Sequence, residues 1–95
     1  MAVIGVLTLE LRLPDAHSLK EKRHEVQSLK ERLRHKFNVS VAEIDYQDLW
    51  QRALLAAVTV SSSRQYAAQL LDAVEREAAA LAGPYLVDTN VEWLD

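Results

Sequence analysis

From position 3 to position 13 every odd residue except Gly5 is apolar, while the even positions run Ile4, Val6, Thr8, Glu10 and Arg12. A period of two predicts a strand, which Pro14 and Asp15 end. Apolar residues then recur at helical spacing, at Leu19, Val26, Leu29, Leu33 and Phe37, and predict a helix over residues 19–37. Ser18 stands three residues before Glu21, the spacing of a capping box, in which the hydroxyl accepts from an orphan amide and the carboxylate reaches back. Residues 38–46 are rich in Val and Ile and predict a second strand. Its apolar phase shifts from Val39 and Val41 to Ala42, Ile44 and Tyr46, which places a bulge near Val41. Residues 49–61 predict a third strand with Trp50, Leu54, Ala56, Val58 and Val60 on one face, broken only by Arg52. A serine cluster, Ser61 to Ser63, opens the second helix, with Gln65 three residues after Ser62; Ala67, Leu70, Leu71, Val74, Ala78 and Leu81 keep its period. Gly83 and Pro84 terminate it, and residues 85–94 predict a fourth strand with Tyr85, Val87, Thr89, Val91 and Trp93 on one side.

The order is βαββαβ. Two βαβ-like halves with short connections and right-handed crossovers most simply make a ferredoxin-like α+β sandwich, a four-stranded antiparallel sheet with both helices on one face. Ninety-five residues of which 49% are hydrophobic suit one domain, residues 1–95, with one core. There is no cysteine, which removes disulfides, thiolate metal sites and a thiol nucleophile, and agrees with a cytoplasmic protein. Residues 1–13 are apolar but interrupted by Glu10 and Arg12, with no basic leader or cleavage site, so a signal peptide is not expected. No run approaches the roughly 20 apolar residues of a membrane span.

Charge changes the picture. The formal net charge of −3 argues against a generic nucleic-acid binder, but its distribution does not. Residues 17–36 hold seven of the eleven Lys and Arg against Glu21, Glu25 and Glu31, formally +4; the rest holds four against eleven acids, formally −7. Lys20, Arg23, Lys30 and Arg34, with Gln27 between them, fall at alternating spacings of three and four and form one stripe beside the apolar one. At about 1.5 Å per residue the stripe runs roughly 21 Å, long enough to follow several phosphates. Lys22 can meet Glu25 and Glu31 can meet Arg34, whereas Lys20, Arg23 and Lys30 have no acid three or four positions away. Unrelieved repulsion among such charges favours an anionic partner over a merely solvated helix.

The other candidate surface is the sheet. If the odd positions of the first strand point to the helices, Ile4, Val6 and Thr8 point away, and Ala53, Leu55 and Ala57 of the third strand are expected to join them as a greasy open face, an interface for a second copy or a protein partner. RNA-recognition domains of this topology stack bases on third-strand aromatics, and residues 51–60 offer neither an exposed Phe or Tyr nor the basic-glycine-aromatic pattern. His17, His24 and His35 are spaced seven and eleven apart and make no metal site. Asp45 and Asp48 read as turn chemistry. Acylphosphatases share the topology, but residues 14–17 lack the glycines that cradle phosphate, so no catalytic residue, metal or cofactor is expected.

At residues 17–23 (HSLKEKR), 37–45 (FNVSVAEID) and 47–55 (QDLWQRALL) the chain resembles the YlxP-like family of small bacterial proteins, long filed as a domain of unknown function. The resemblance implies a ferredoxin-like fold, agreeing with the pattern above. It also implies, through gene neighbourhoods shared with translation initiation and ribosome maturation factors, a role around the ribosome or RNA. It assigns no catalytic residues. Lys20, Lys22, Arg23, Asp48, Gln51 and Arg52 both match these blocks and are expected at the surface. The reading is therefore a non-enzymatic module that holds structured RNA or a ribosomal particle by its phosphates through Lys20, Arg23, Lys30 and Arg34, with Lys22 and Arg52 as secondary contacts. The alternative is a protein-interaction or homodimer module using the open sheet face.

Overall fold

The computed structural model describes residues 1–94. Its elements are β1 (Val3–Arg12), α1 (Leu19–Lys36), β2 (Ser40–Asp45), β3 (Arg52–Ser61), α2 (Arg64–Ala82) and β4 (Leu86–Leu94), with a short 3-10 turn at Gly83–Tyr85. The strands form one antiparallel sheet in the order β2-β3-β1-β4. This is the ferredoxin-like arrangement that the pattern predicts. α2 packs over β1 and β3, and α1 lies beside it over β2.

The core sits between helices and sheet. Leu7, Leu9 and Leu11 of β1 are fully or nearly fully buried with Val26, Leu29 and Leu33 of α1 and Leu71, Val74 and Ala78 of α2. Gly5 is the exception to the leucine run for a steric reason. A Cβ there would lie 2.7 Å from Leu71 Cδ1 and 2.8 Å from Trp93 Cζ3, so α2 and the aromatic of β4 close over bare backbone.

The pairing of β3 corrects the expected face of that strand. Leu7 lies opposite Ala57, Leu9 opposite Leu55 and Leu11 opposite Ala53. Directly opposed residues share a face, so Ala53, Leu55 and Ala57 point into the helix layer, where all three are completely buried. The open face of β3 instead carries Leu54, Ala56, Val58 and Val60, beside Glu10, Thr8, Val6 and Ile4 respectively. Both faces of β3 are apolar, so its composition leaves the phase open. Its pairing with Leu7, Leu9 and Leu11 fixes it.

Several positions move. The bulge of β2 falls between Glu43 and Asp45, leaving Ile44 exposed, while Val41 pairs regularly with Ala57 and is buried. Residues 49–51 belong to the loop before β3 and not to the strand, so Trp50 is 51% exposed. Ser63, not Ser62, caps α2, its Oγ accepting from Tyr66 N at 3.1 Å. Gly83 ends that helix at φ 57°, a left-handed conformation suited to glycine. No helix among the described residues is long and apolar enough to cross a membrane.

Candidate nucleic-acid interface on the first helix

α1 begins where Ser18 Oγ accepts from Glu21 N at 3.1 Å; Glu21 Oε2 reaches back to His17 N at 2.7 Å, one residue earlier than a standard capping box. The buried side chains along the helix are Lys22, Val26, Leu29 and Leu33. That spacing is the core-facing stripe, and Lys22 occupies its first turn. The expectation of an exposed Lys22 therefore fails: its side chain is 0% exposed.

Lys22 is held by the other end of the layer. Its Nζ lies 2.5 Å from Glu43 Oε2. It donates to the Tyr46 carbonyl at 2.7 Å and more weakly to that of Gln47 at 3.5 Å. Glu43 points inward because it faces Leu55, and so neutralises the charge under the helix. Tyr46 sits at φ 64°, the left-handed region that a bulky side chain enters at a cost of roughly 1–3 kcal/mol. The Lys22 ammonium on its carbonyl, and Asp45 Oδ1 accepting from its amide at 2.7 Å, hold it there. Lys22 is thus a brace for the turn between β2 and β3 and not a phosphate contact.

Arg52 is committed as well. Its Nη2 donates to Glu10 Oε2 at 2.8 Å, and its guanidinium lies 3.9 Å from the centroid of the Tyr46 ring. The Glu10 hydrogen bond holds the guanidinium pKa above its ordinary value. Arg12 Nε stands 3.7 Å from the same Glu10 oxygen. Gln51 is tied to the loop before α1 through Nε2, which donates to the carbonyl of Pro14 at 3.2 Å. Arg12, Pro14, Asp48, Leu49, Trp50 and Gln51 line a depression at this end of the sheet. The exposure of Leu49 and Trp50 there was not legible, because an aromatic flanked by apolar residues reads as strand.

The four remaining basic positions share one side of α1. Lys20, Arg23 and Arg34 are exposed and Lys30 is half-buried. Glu25, Ser28 and Arg32 line the crevice toward α2, so the turn of the helix puts the stripe of Lys20, Arg23, Lys30 and Arg34 on the opposite flank. Among the described residues, ion pairs engage Arg12, Lys22, Lys36, Arg52 and Arg76. None engages any member of the stripe. Lys36 is turned the other way, bound to Glu77 of α2 at 2.8 Å. Gln27 donates to Glu31 at 3.0 Å, and among the described residues no ion pair joins Glu31 to Arg34.

No group of three or more His, Cys, Asp or Glu among the described residues is placed to hold a metal ion. The open faces of β1 and β3, from Ile4 to Thr8 and from Leu54 to Val60, carry no aromatic on which a base could stack.

A solved chain titled "De novo designed protein Foldit4" superimposes with a TM-score of 0.61 at 11% identity, covering 100% of this chain and 98% of that one; the likeness is one of fold. The "Uncharacterized protein YlxP" of Bacillus subtilis (strain 168) is 48% identical over 62 residues, 65% of this chain and 67% of that protein. The family described as "Protein of unknown function (DUF503)" matches residues 4–91, which span every strand and helix that shapes the basic flank and the braced turn. The chain belongs to that family, and its relative in Bacillus subtilis agrees with the YlxP-like resemblance of its sequence blocks.

Proposed function

We propose that this protein is a non-enzymatic, cytoplasmic module that binds structured RNA through the phosphate backbone, with Lys20, Arg23, Lys30 and Arg34 of α1 as its contacts. The observation that carries the reading is a contrast in pairing. Arg12, Lys22, Lys36, Arg52 and Arg76 are met by Glu10, Glu43, Asp72 and Glu77, whereas four of the six cations without an ion pair among the described residues, all but Arg32 and Arg64, share this one flank. A protein with a net charge of −3 gains nothing for its own stability by aligning four uncompensated cations on one helix. An anion of matching length removes their repulsion and releases its counterions. A helix flank without stacking aromatics reads shape and charge, not base identity. The ribosomal particle is the first candidate, on the strength of the family resemblance.

The test is fluorescence anisotropy of the purified protein against 16S and 23S ribosomal RNA over a salt series. Four phosphate contacts give a slope of log affinity against log salt of about −3, since each contributes roughly 0.7–0.9. Reversing Arg23→Glu and Lys30→Glu together is expected to weaken binding by about tenfold or more and to cut that slope by about two. Binding that is indifferent to salt and to both reversals contradicts the proposal.

A further inference from the structure

The sheet face opposite the helices bears Ile4 and Val6 of β1 and Leu54, Val58 and Val60 of β3, and Leu94 of β4 lies beside Ile4. Val60 is 62% exposed and Leu94 53%. The charged side chains of β1 and β3 on this face lie at one end, where Arg12 and Arg52 share Glu10. We propose that this face is a homodimer interface, with a second copy of the same chain as its occupant, stacked sheet on sheet.

Three observations select that occupant. The first is area. Strands of 10, 6, 10 and 9 residues at about 3.3 Å per residue, lying about 4.8 Å apart, give a face of roughly 550 Å², so two copies cover about 1,100 Å², above the roughly 1,000 Å² that a specific interface needs. The second is flatness. Val, Thr and Ala dominate the centre at Val6, Thr8, Ala56 and Val58, and short side chains let two sheets approach to the spacing of about 10 Å at which they interdigitate. The third is self-complementarity. Val6 and Val58 are directly opposed neighbours, so a twofold axis running along the strands sets Val6 of one copy on Val58 of the other. The same axis lays the acidic β4, with Asp88 and Glu92, over β2 of the other copy, whose open face offers uncharged Ser40 and Ala42. An axis across the strands would bring β4 onto β4 and acid onto acid. In the stacked dimer both helix layers face outward, so each basic flank stays open and the assembly carries two.

Sedimentation equilibrium of the full chain from 1 to 200 μM tests this. The expected result is reversible assembly from 10.7 kDa to twice that mass, with micromolar affinity, little changed when salt rises from 0.1 to 0.5 M because the contact centres on aliphatic side chains. Val60→Lys, at a position already open to water, is expected to weaken assembly by about tenfold or more while circular dichroism stays native. Amide shifts on dilution provide a second readout that needs no variant: they move on β1 and β3 and not on α1. A strict monomer at 200 μM overturns the proposal and gives the face to a different partner. A dimer that survives Val60→Lys undiminished, or shifts confined to α1 or α2, overturns it by placing the contact elsewhere. RNA binding by a strictly monomeric protein would leave the basic-flank reading standing, so the two fail separately.

Discussion

Lys22 takes a full positive charge into a site with no solvent, and its three partners lie on β2 and the turn after it. Deleting the ammonium leaves Glu43, itself only 16% exposed, without its counter-charge, and frees a left-handed tyrosine. Breaking a buried pair from one side costs about 3–5 kcal/mol, so Lys22→Ala is expected to lower the urea midpoint by a corresponding amount. Adding Glu43→Gln recovers part of the loss, and a double variant no better than the single one would contradict the pairing. Gly5→Ala is expected to cost about 1–3 kcal/mol in the same assay, because Leu71 and Trp93 already occupy the space of a methyl group. At Tyr85 the Asp15 carboxylate, whose Oδ2 accepts from the phenol at 3.3 Å, pushes the hydroxyl pKa up. The folded chain therefore keeps that proton after the unfolded one has lost it near pH 10. The stabilisation is complete below that pH and disappears as the pH rises through the folded value. Ultraviolet titration is expected to show the delayed phenol, and Asp15→Asn to remove the delay.

α1 is the element on which three roles meet: a core stripe, a brace and an open basic flank. Ser18→Ala removes its N-terminal acceptor and is expected to cost about 1 kcal/mol in thermal unfolding, without changing affinity for RNA beyond the fraction folded. The flank was legible because spacings of three and four place residues on a cylinder whatever the surroundings. The brace was only half legible. Lys22 stands at i relative to Val26, Leu29 and Leu33 and so on the apolar stripe, but a lysine there reads as solvated until Glu43 is known to face it across the layer. For β3 the signal was ambiguous in itself: Leu54, Ala56, Val58 and Val60 look more like a core than Ala53, Leu55 and Ala57 do. Only the pairing with Leu7, Leu9 and Leu11 decides which set is covered. The turn residues Leu49 and Trp50 were misread for a related reason, since apolar composition marks a strand only where a neighbour supplies the ladder.

At the scale of the molecule, the element order, the presence of the two helices and the separation of charge follow from local pattern, while every long-range pairing of Lys22, Arg52 and Lys36 required the fold. The consequence is a molecule with two distinct open faces. One flank of the helix layer is basic and unpaired, the far side of the sheet is aliphatic, and an acidic remainder keeps other anions away. Co-sedimentation of the tagged protein with ribosomal particles from lysate, at about 0.05 and 0.3 M salt, tests whether the basic flank holds RNA. The protein is expected to travel with a subunit or precursor at the lower salt, to be released at the higher, and to be lost from the particle at both when Arg23 and Lys30 are reversed to Glu. Absence from every ribosomal fraction at the lower salt, or retention unaffected by the two reversals, would contradict RNA binding by that flank.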